Sequence, residues 1–326
     1  MNGGAGGDPG DLDGRRLVVT GGAGFIGSHV VDALVDAGAD VTVLDDLSTG
    51  SESFLARSRD KIRLVMGDVR EAAQLDRVLP GADAVWHLAA NPEVRTGETD
   101  PTGHVAANID PTLALLEGMR RHDVPKMLFT STSTVYGRAE VRPTPEDYGP
   151  LLPISVYGGC KLACEALISS YAETFGLDAL LFRFANVVGP RSNHGVTFDF
   201  VRKLRADPAR LEILGDGTQT KSYISVDDTV AAMVHAFRHA PGGCHPYNIG
   251  SMDAIPVSRI GEIVAEVMGL EPDFVFTGGA PDGAGWRGDV KHMALDVSRL
   301  DALGWRPRHG SEEAIRRTAA WLVAQA

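Results

Sequence analysis

The chain has 326 residues, 44% hydrophobic and 23% charged, a soluble globular balance that excludes collagen, coiled coil or general disorder as its main state. Its formal net charge of -12, from 31 Lys+Arg against 43 Asp+Glu, excludes a non-specific nucleic-acid binder, which needs clustered cations. Small phosphorylated ligands stay open, because backbone N–H groups and one or two cations hold them locally.

Residues 1–13 are rich in Gly and Asp and contain no Lys, Arg or apolar run, so they read as a disordered tail rather than a secretory signal. Three cysteines cannot build a disulfide framework, and no stretch nears the ~20 apolar residues of a membrane span. A cytoplasmic protein without membrane contact is the expectation.

A short apolar run at 17–19 ends in Thr20-Gly21-Gly22-Ala23-Gly24-Phe25-Ile26-Gly27, and 25–37 reads as a helix. Glycines at 21, 24 and 27 suit a tight turn, close approach of a pyrophosphate, and close helix–strand packing. The N–H groups at the helix start, around Phe25 and Ile26, then face the phosphates. The next strand, 41–44, ends in Asp45, 18 residues beyond Gly27. A carboxylate there accepts from the adenosine ribose hydroxyls and repels a 2′-phosphate, which favours NAD over NADP. After the third strand, 62–65, Asp68 suits the adenine amino group or is an ordinary loop aspartate.

Strands at 84–88 and 127–129 flank a helix at 111–122. The hydroxyl run Thr130-Ser131-Thr132-Ser133-Thr134 follows, at a strand's C-terminal end, where open α/β sheets bind ligands. Most of these hydroxyls are expected to cap backbone groups. Tyr157 and Lys161 share one face four residues apart at the head of a predicted helix, with helix at 162–175 and a strand at 179–184 following. A nearby ammonium and a cationic nicotinamide both favour a phenolate, so the pair can supply a base at neutral pH. Beyond Asn186, Gly and Pro break the rhythm around short helices at 260–268 and 312–324.

The alternation predicts an α/β fold, a Rossmann-type doubly wound parallel sheet with a smaller α/β C-terminal substrate-binding lobe. The dinucleotide domain is expected over 14–188, with a return near 222–250, and the substrate lobe over most of 189–326. His235 and His239, four apart, lack a metal-site pattern, and no metal is expected. Cys160 and Cys164 read as packing residues.

From Arg16 onward these motifs resemble the extended short-chain dehydrogenase/reductase family, the NAD-dependent epimerases and dehydratases. The resemblance continues through Phe182–Arg191, Leu214–Gln219 and Tyr223–Asp228. Ala89-Ala90-Asn91-Pro92-Glu93-Val94-Arg95, His194-Gly195-Val196 and Gly288-Asp289-Val290-Lys291 are similar to the UDP-glucose 4-epimerases. It implies retained NAD, held also by Asp46, Val69, Leu88, Ala89, Ala90 and Lys161. It implies proton removal from the sugar 4-hydroxyl by Tyr157, aided by Lys161 and Thr132, with Ser133 in reserve. Hydride leaves C4, the 4-keto sugar turns, and hydride returns to the other face. For a UDP-sugar it implies contacts from Asn186, Val196, Lys221, Tyr223, Arg287 and Asp289, with Lys221 where many relatives carry Arg. Arg287 and Asp289 pairing with each other is the alternative.

Ser133 and Thr134 stand where 4,6-dehydratases carry an Asp-Glu pair, which argues against dehydration. UDP-glucuronate decarboxylases usually carry Glu at Thr134 and are less firmly excluded. Met293 falls where pocket room for a 2-acetamido group is set. A UDP-glucuronate or UDP-N-acetylhexosamine 4-epimerase is the nearest rival, and a non-catalytic NAD-binding regulator the rival of another class. The family pairs as homodimers, here through helices near 113–122 and 162–175.

Overall fold

The structure is a computed structural model describing residues 12–325. The first half alternates β1 (Arg16–Thr20), α1 (Phe25–Asp36), β2 (Asp40–Asp45), β3 (Ile62–Met66), α2 (Ala72–Val78), β4 (Ala84–His87), α3 (Pro101–Arg121), β5 (Lys126–Thr132), α4 (Val156–Phe175) and β6 (Asp178–Phe184). The second half contains β7 (Asn186–Val188), α5 (Val196–Ala206), β8 (Arg210–Ile213), β9 (Thr220–Lys221), β10 (Tyr223–Ser225), α6 (Val226–His239) and β11 (Cys244–Ile249). It ends with β12 (Ile255–Pro256), α7 (Val257–Met268), β13 (Asp273–Phe276), β14 (His292–Met293), α8 (Ser298–Ala302) and α9 (Ser311–Ala324).

Seven strands form one parallel sheet in the order β11-β6-β5-β4-β1-β2-β3. The order reverses between β1 and β4, and the crevice beyond the carboxyl ends of such strands is where open α/β sheets bind ligands. Val30, Val31 and Leu34 of α1 pack with Met233, Ala236 and Phe237 of α6 on one face. Leu75 of α2, Leu115 and Met119 of α3, and Cys164 and Ile168 of α4 cover the other. With both faces covered, the strands read as continuous apolar runs such as Leu17-Val18-Val19. The remaining chain builds a third cluster from α5, α7 and α9 over β8. Among the described residues no helix is long and apolar enough to cross a membrane.

Two local expectations differ from the structure. Most of the tail expected over 1–13 lies outside the described residues, but Leu12 is fully buried in the sheet core. Burying one leucine is worth about 1.5–3 kcal/mol, enough to order a short polar flank. The helix expected at 111–122 starts ten residues earlier, at Pro101. Asp100 caps it by accepting from the Gly103 N–H at 2.9 Å, and Pro111 sits inside the helix. Helix α4 begins at Val156, capped by Ser155 through the Gly158 N–H at 3.1 Å, as expected of a helix headed by the Tyr157–Lys161 pair. Tyr157 and Lys161 therefore lie in its first two turns.

Candidate active site

A single cleft of about 1030 Å³ runs along the carboxyl ends of β1, β2, β4 and β5 and under the C-terminal residues. At one end stands the glycine turn. Gly21 has φ +69°, and a Cβ there would stand 2.5 Å from the Ala89 backbone nitrogen. A Cβ on Gly27 would collide with the Gly21 carbonyl. The turn thus brings β1, α1 and the Leu88-Ala89-Ala90 segment together as only glycine permits. Gly24 caps α1 without any side-chain hydrogen bond, so the first N–H groups of the helix face the cleft unclaimed by side chains.

Asp45 ends β2, buried, with its carboxylate accepting from the Ala23 and Leu47 N–H groups, each at 2.8 Å. Burial pushes its carboxyl up, and these two bonds pull it back. Asp46, Asp68 and Val69 line the same wall. Asp68 is gripped by Arg70 at 2.5 Å, so an adenine amino group there competes with a guanidinium. These residues fit a dinucleotide: a cradle that side chains would fill, an uncapped helix start, and a carboxylate at the second strand's end.

Tyr157, Lys161 and Thr132 meet midway along the cleft. Lys161 is buried, and its Nζ donates to the Thr130 carbonyl at 2.8 Å. Burial pulls its ammonium down to about 8. The Nζ lies 6.0 Å from the Tyr157 ring centroid and 4.7 Å from that of Phe129. Burial pushes the Tyr157 phenol up, and a hydrogen bond with Thr132 pulls it back. The other hydroxyls are spent locally. Thr130 donates to the His87 carbonyl at 3.2 Å, and Ser131 to Glu165. Thr134 donates its N–H to Thr132 Oγ1 at 3.2 Å, and Ser133 lines the wall beside them.

Two buried networks support this centre. Glu165, one turn after Lys161, pairs with Arg183 at 2.7 Å and ties α4 to β5 and β6. His87 is hydrogen-bonded to Thr20 Oγ1 at 2.7 Å and Thr112 Oγ1 at 3.1 Å. Complete burial, with the Lys161 charge nearby, pulls its imidazole down to about 3.

At the far end, Asn186, Val196, Lys221, Tyr223, Asp289 and Met293 line the cleft. Lys221 Nζ lies 2.5 Å from Asp289 Oδ1, so Asp289 pairs with Lys221 and not with Arg287. Arg287 is exposed and does not line the cleft. Its neighbour Trp286, to which no motif in the sequence points, does. Three buried polar atoms on this wall have no partner: Trp286 Nε1, Gln219 Oε1 and Thr197 Oγ1. Gln219 was legible as part of a motif; Thr197 carried no signal. Elsewhere the His235 and His239 rings stack at 4.1 Å, and no metal-holding group occurs among the described residues.

The NAD dependent epimerase/dehydratase family model matches residues 17–250, a span that holds both the glycine turn and the Tyr157–Lys161 pair. The chain belongs to that family. NAD is its cofactor, and it is an NAD-dependent enzyme of the epimerase type. It is 35% identical to the UDP-glucose 4-epimerase of Mycolicibacterium smegmatis, over 94% of this chain and 98% of that protein. A solved UDP-galactose 4-epimerase is 44% identical, covers 95% of this chain and 99% of its own, and superposes with a TM-score of 0.86. A UDP-N-acetylglucosamine 4-epimerase from Methanobrevibacter ruminantium M1, also with a TM-score of 0.86, is 31% identical over 96% of this chain and 100% of that one.

Proposed function

We propose that this enzyme interconverts UDP-glucose and UDP-galactose at sugar C4. The observation that carries the reading is the trio Tyr157, Thr132 and Lys161 in one cleft, with hydroxyls at Ser133 and Thr134. Neither Ser133 nor Thr134 can serve as acid or base at neutral pH, which disfavours loss of the C6 hydroxyl. NAD, when bound, supplies hydride acceptance at C4 and its return. The glycine turn and the start of α1 hold the pyrophosphate of the cofactor, and Asp45 its adenosine ribose. Tyr157 removes the proton of the sugar 4-hydroxyl and later gives it back. Thr132 donates to that oxygen and keeps it beside the phenol. Lys161, anchored on the Thr130 carbonyl, supplies positive charge that favours the phenolate. The cleft volume leaves room for the 4-keto sugar to turn and present its other face.

Asn186, Lys221, Tyr223 and Asp289 serve the nucleotide end of the substrate. The 14–188 segment with its 222–250 return forms the cofactor domain, and the remaining chain beyond 188 the substrate lobe. A homodimer forms through α3 and α4, which pack together and expose Val105, Leu113 and Phe175. Met293, flexible and in the cleft wall, keeps a 2-acetamido sugar as a second reading. The test is incubation of purified enzyme with UDP-galactose, UDP-N-acetylglucosamine and UDP-glucuronate in parallel, with chromatography of the products. UDP-glucose is expected from the first. No conversion at micromolar enzyme refutes the reading, and CO2 release from the third marks decarboxylation instead.

A further inference from the structure

The loop between β13 and β14 places an aromatic ring, not its arginine, in the cleft. Trp286 lines the cleft while the adjacent Arg287 side chain is exposed outside it. Two cations meet the Trp286 ring. Arg95, from the Val94–Glu98 turn after β4, lies 5.7 Å from the ring centroid. Lys221, from β9, lies 5.5 Å from it. The contacts come from different parts of the chain, so the ring bridges the cofactor side and the substrate side of the cleft.

Neither cation is saturated. Arg95 donates to Glu93 only from Nε and its own backbone N–H, leaving both Nη groups open. Lys221 spends one of its three donors on Asp289. Trp286 Nε1 is buried without an acceptor. Buried N–H groups nearly always have partners, so an orphan donor on a cleft wall marks the place of an absent acceptor. A diphosphate answers all three needs: its oxygens accept from Nε1, from the Nη groups and from Nζ.

We propose that Trp286, rather than Arg287, is the diphosphate-gripping residue of this loop, holding Arg95 and Lys221 as a clamp on the nucleotide sugar. The clamp rests on the nucleotide-sugar reading but not on the 4-epimerase chemistry.

Isothermal titration calorimetry, which reads affinity in every variant, tests it on the NAD-loaded enzyme with UDP and, separately, with uridine, while tryptophan fluorescence is followed in the same titrations. The wild-type fluorescence is expected to change with UDP, and W286F is expected to lose that change. W286F keeps the ring but lacks the N–H, so it should weaken UDP about fivefold; W286A and R95A should weaken it tenfold or more. Uridine affinity should stay within about twofold in every variant, and R287A should leave UDP affinity within the same range. The clamp is overturned if R287A weakens UDP and W286A does not. It is equally overturned if W286A weakens uridine as much as UDP, which makes the ring a base-stacking surface. UDP-galactose turnover separates the two readings. An inactive wild type that keeps the Trp286-dependent UDP response loses only the epimerase assignment, and an active enzyme with unchanged W286A affinity loses only the clamp.

Discussion

A tyrosine that takes protons at neutral pH needs a phenol well below its ordinary ~10, yet burial holds Tyr157 above it. The four-residue spacing to Lys161 therefore does not by itself make a base. The ammonium sits 6.0 Å from the ring and is itself weakened by burial. Activation must come from the loaded cleft. Tyr157→Phe is expected to lower turnover by about 10²–10⁴-fold while NAD content, read from absorbance after denaturation, stays unchanged. Lys161 imposes a second constraint. Its folded value of about 8 lies below the ordinary 10.5, so between these values the unfolded chain binds more protons and stability rises with pH. The burial penalty is fully present below pH ~8 and gone above ~10.5. Lys161→Met should therefore raise the stability of the cofactor-free protein at pH 7 by roughly 1–3 kcal/mol while abolishing activity. The gain should shrink in urea titrations repeated at pH 9 and 10.

At the scale of elements, α4 carries Tyr157 and Lys161, and the buried Glu165–Arg183 ion pair fixes it. Removing one partner of such a pair leaves an uncompensated charge in the interior. Glu165→Ala is expected to cost about 3–5 kcal/mol in denaturant melts. What survives folding should show reduced kcat with a smaller change in KM, because α4 shifts and not the nucleotide seat. Elements were legible where period and punctuation agreed. The glycine turn between β1 and α1 was readable because backbone crowding there leaves no other residue possible. Residues 111–122 misled because Pro111 resembles a helix start, whereas Asp100 and Pro101 begin the helix and the proline is absorbed within it. Leu12 misled because its polar neighbours hid one buried side chain. At the nucleotide end, chain order could not say which of Trp286 and Arg287 faces inward. It also could not pair Asp289 with Lys221, 68 residues away, because those facts are set by loop folding.

For the whole molecule, bound ligands add to the stability of the fold. NAD or UDP at 100 times its dissociation constant should raise stability by about 2.7 kcal/mol, seen as a melting-temperature shift that W286A cuts to about half or less for UDP alone. If the proposed dimer forms through α3 and α4, the wild type should scatter light as a dimer and Leu113→Asp on α3 as a monomer, while melting of the monomer unit changes little. The central strand β4 meanwhile holds His87 in a place where charge is unwelcome. Its imidazole stays neutral down to about pH 3, whereas an unfolded chain protonates the same ring near 6.5. In that window the unfolded state binds the extra proton, so acid withdraws stability as pH falls, on the order of 5 kcal/mol across the full span. The keystone of the sheet is thus also an acid fuse. Lowering the pH from 7 to 4 should therefore shift the urea midpoint of the wild type further down than that of a His87→Gln variant.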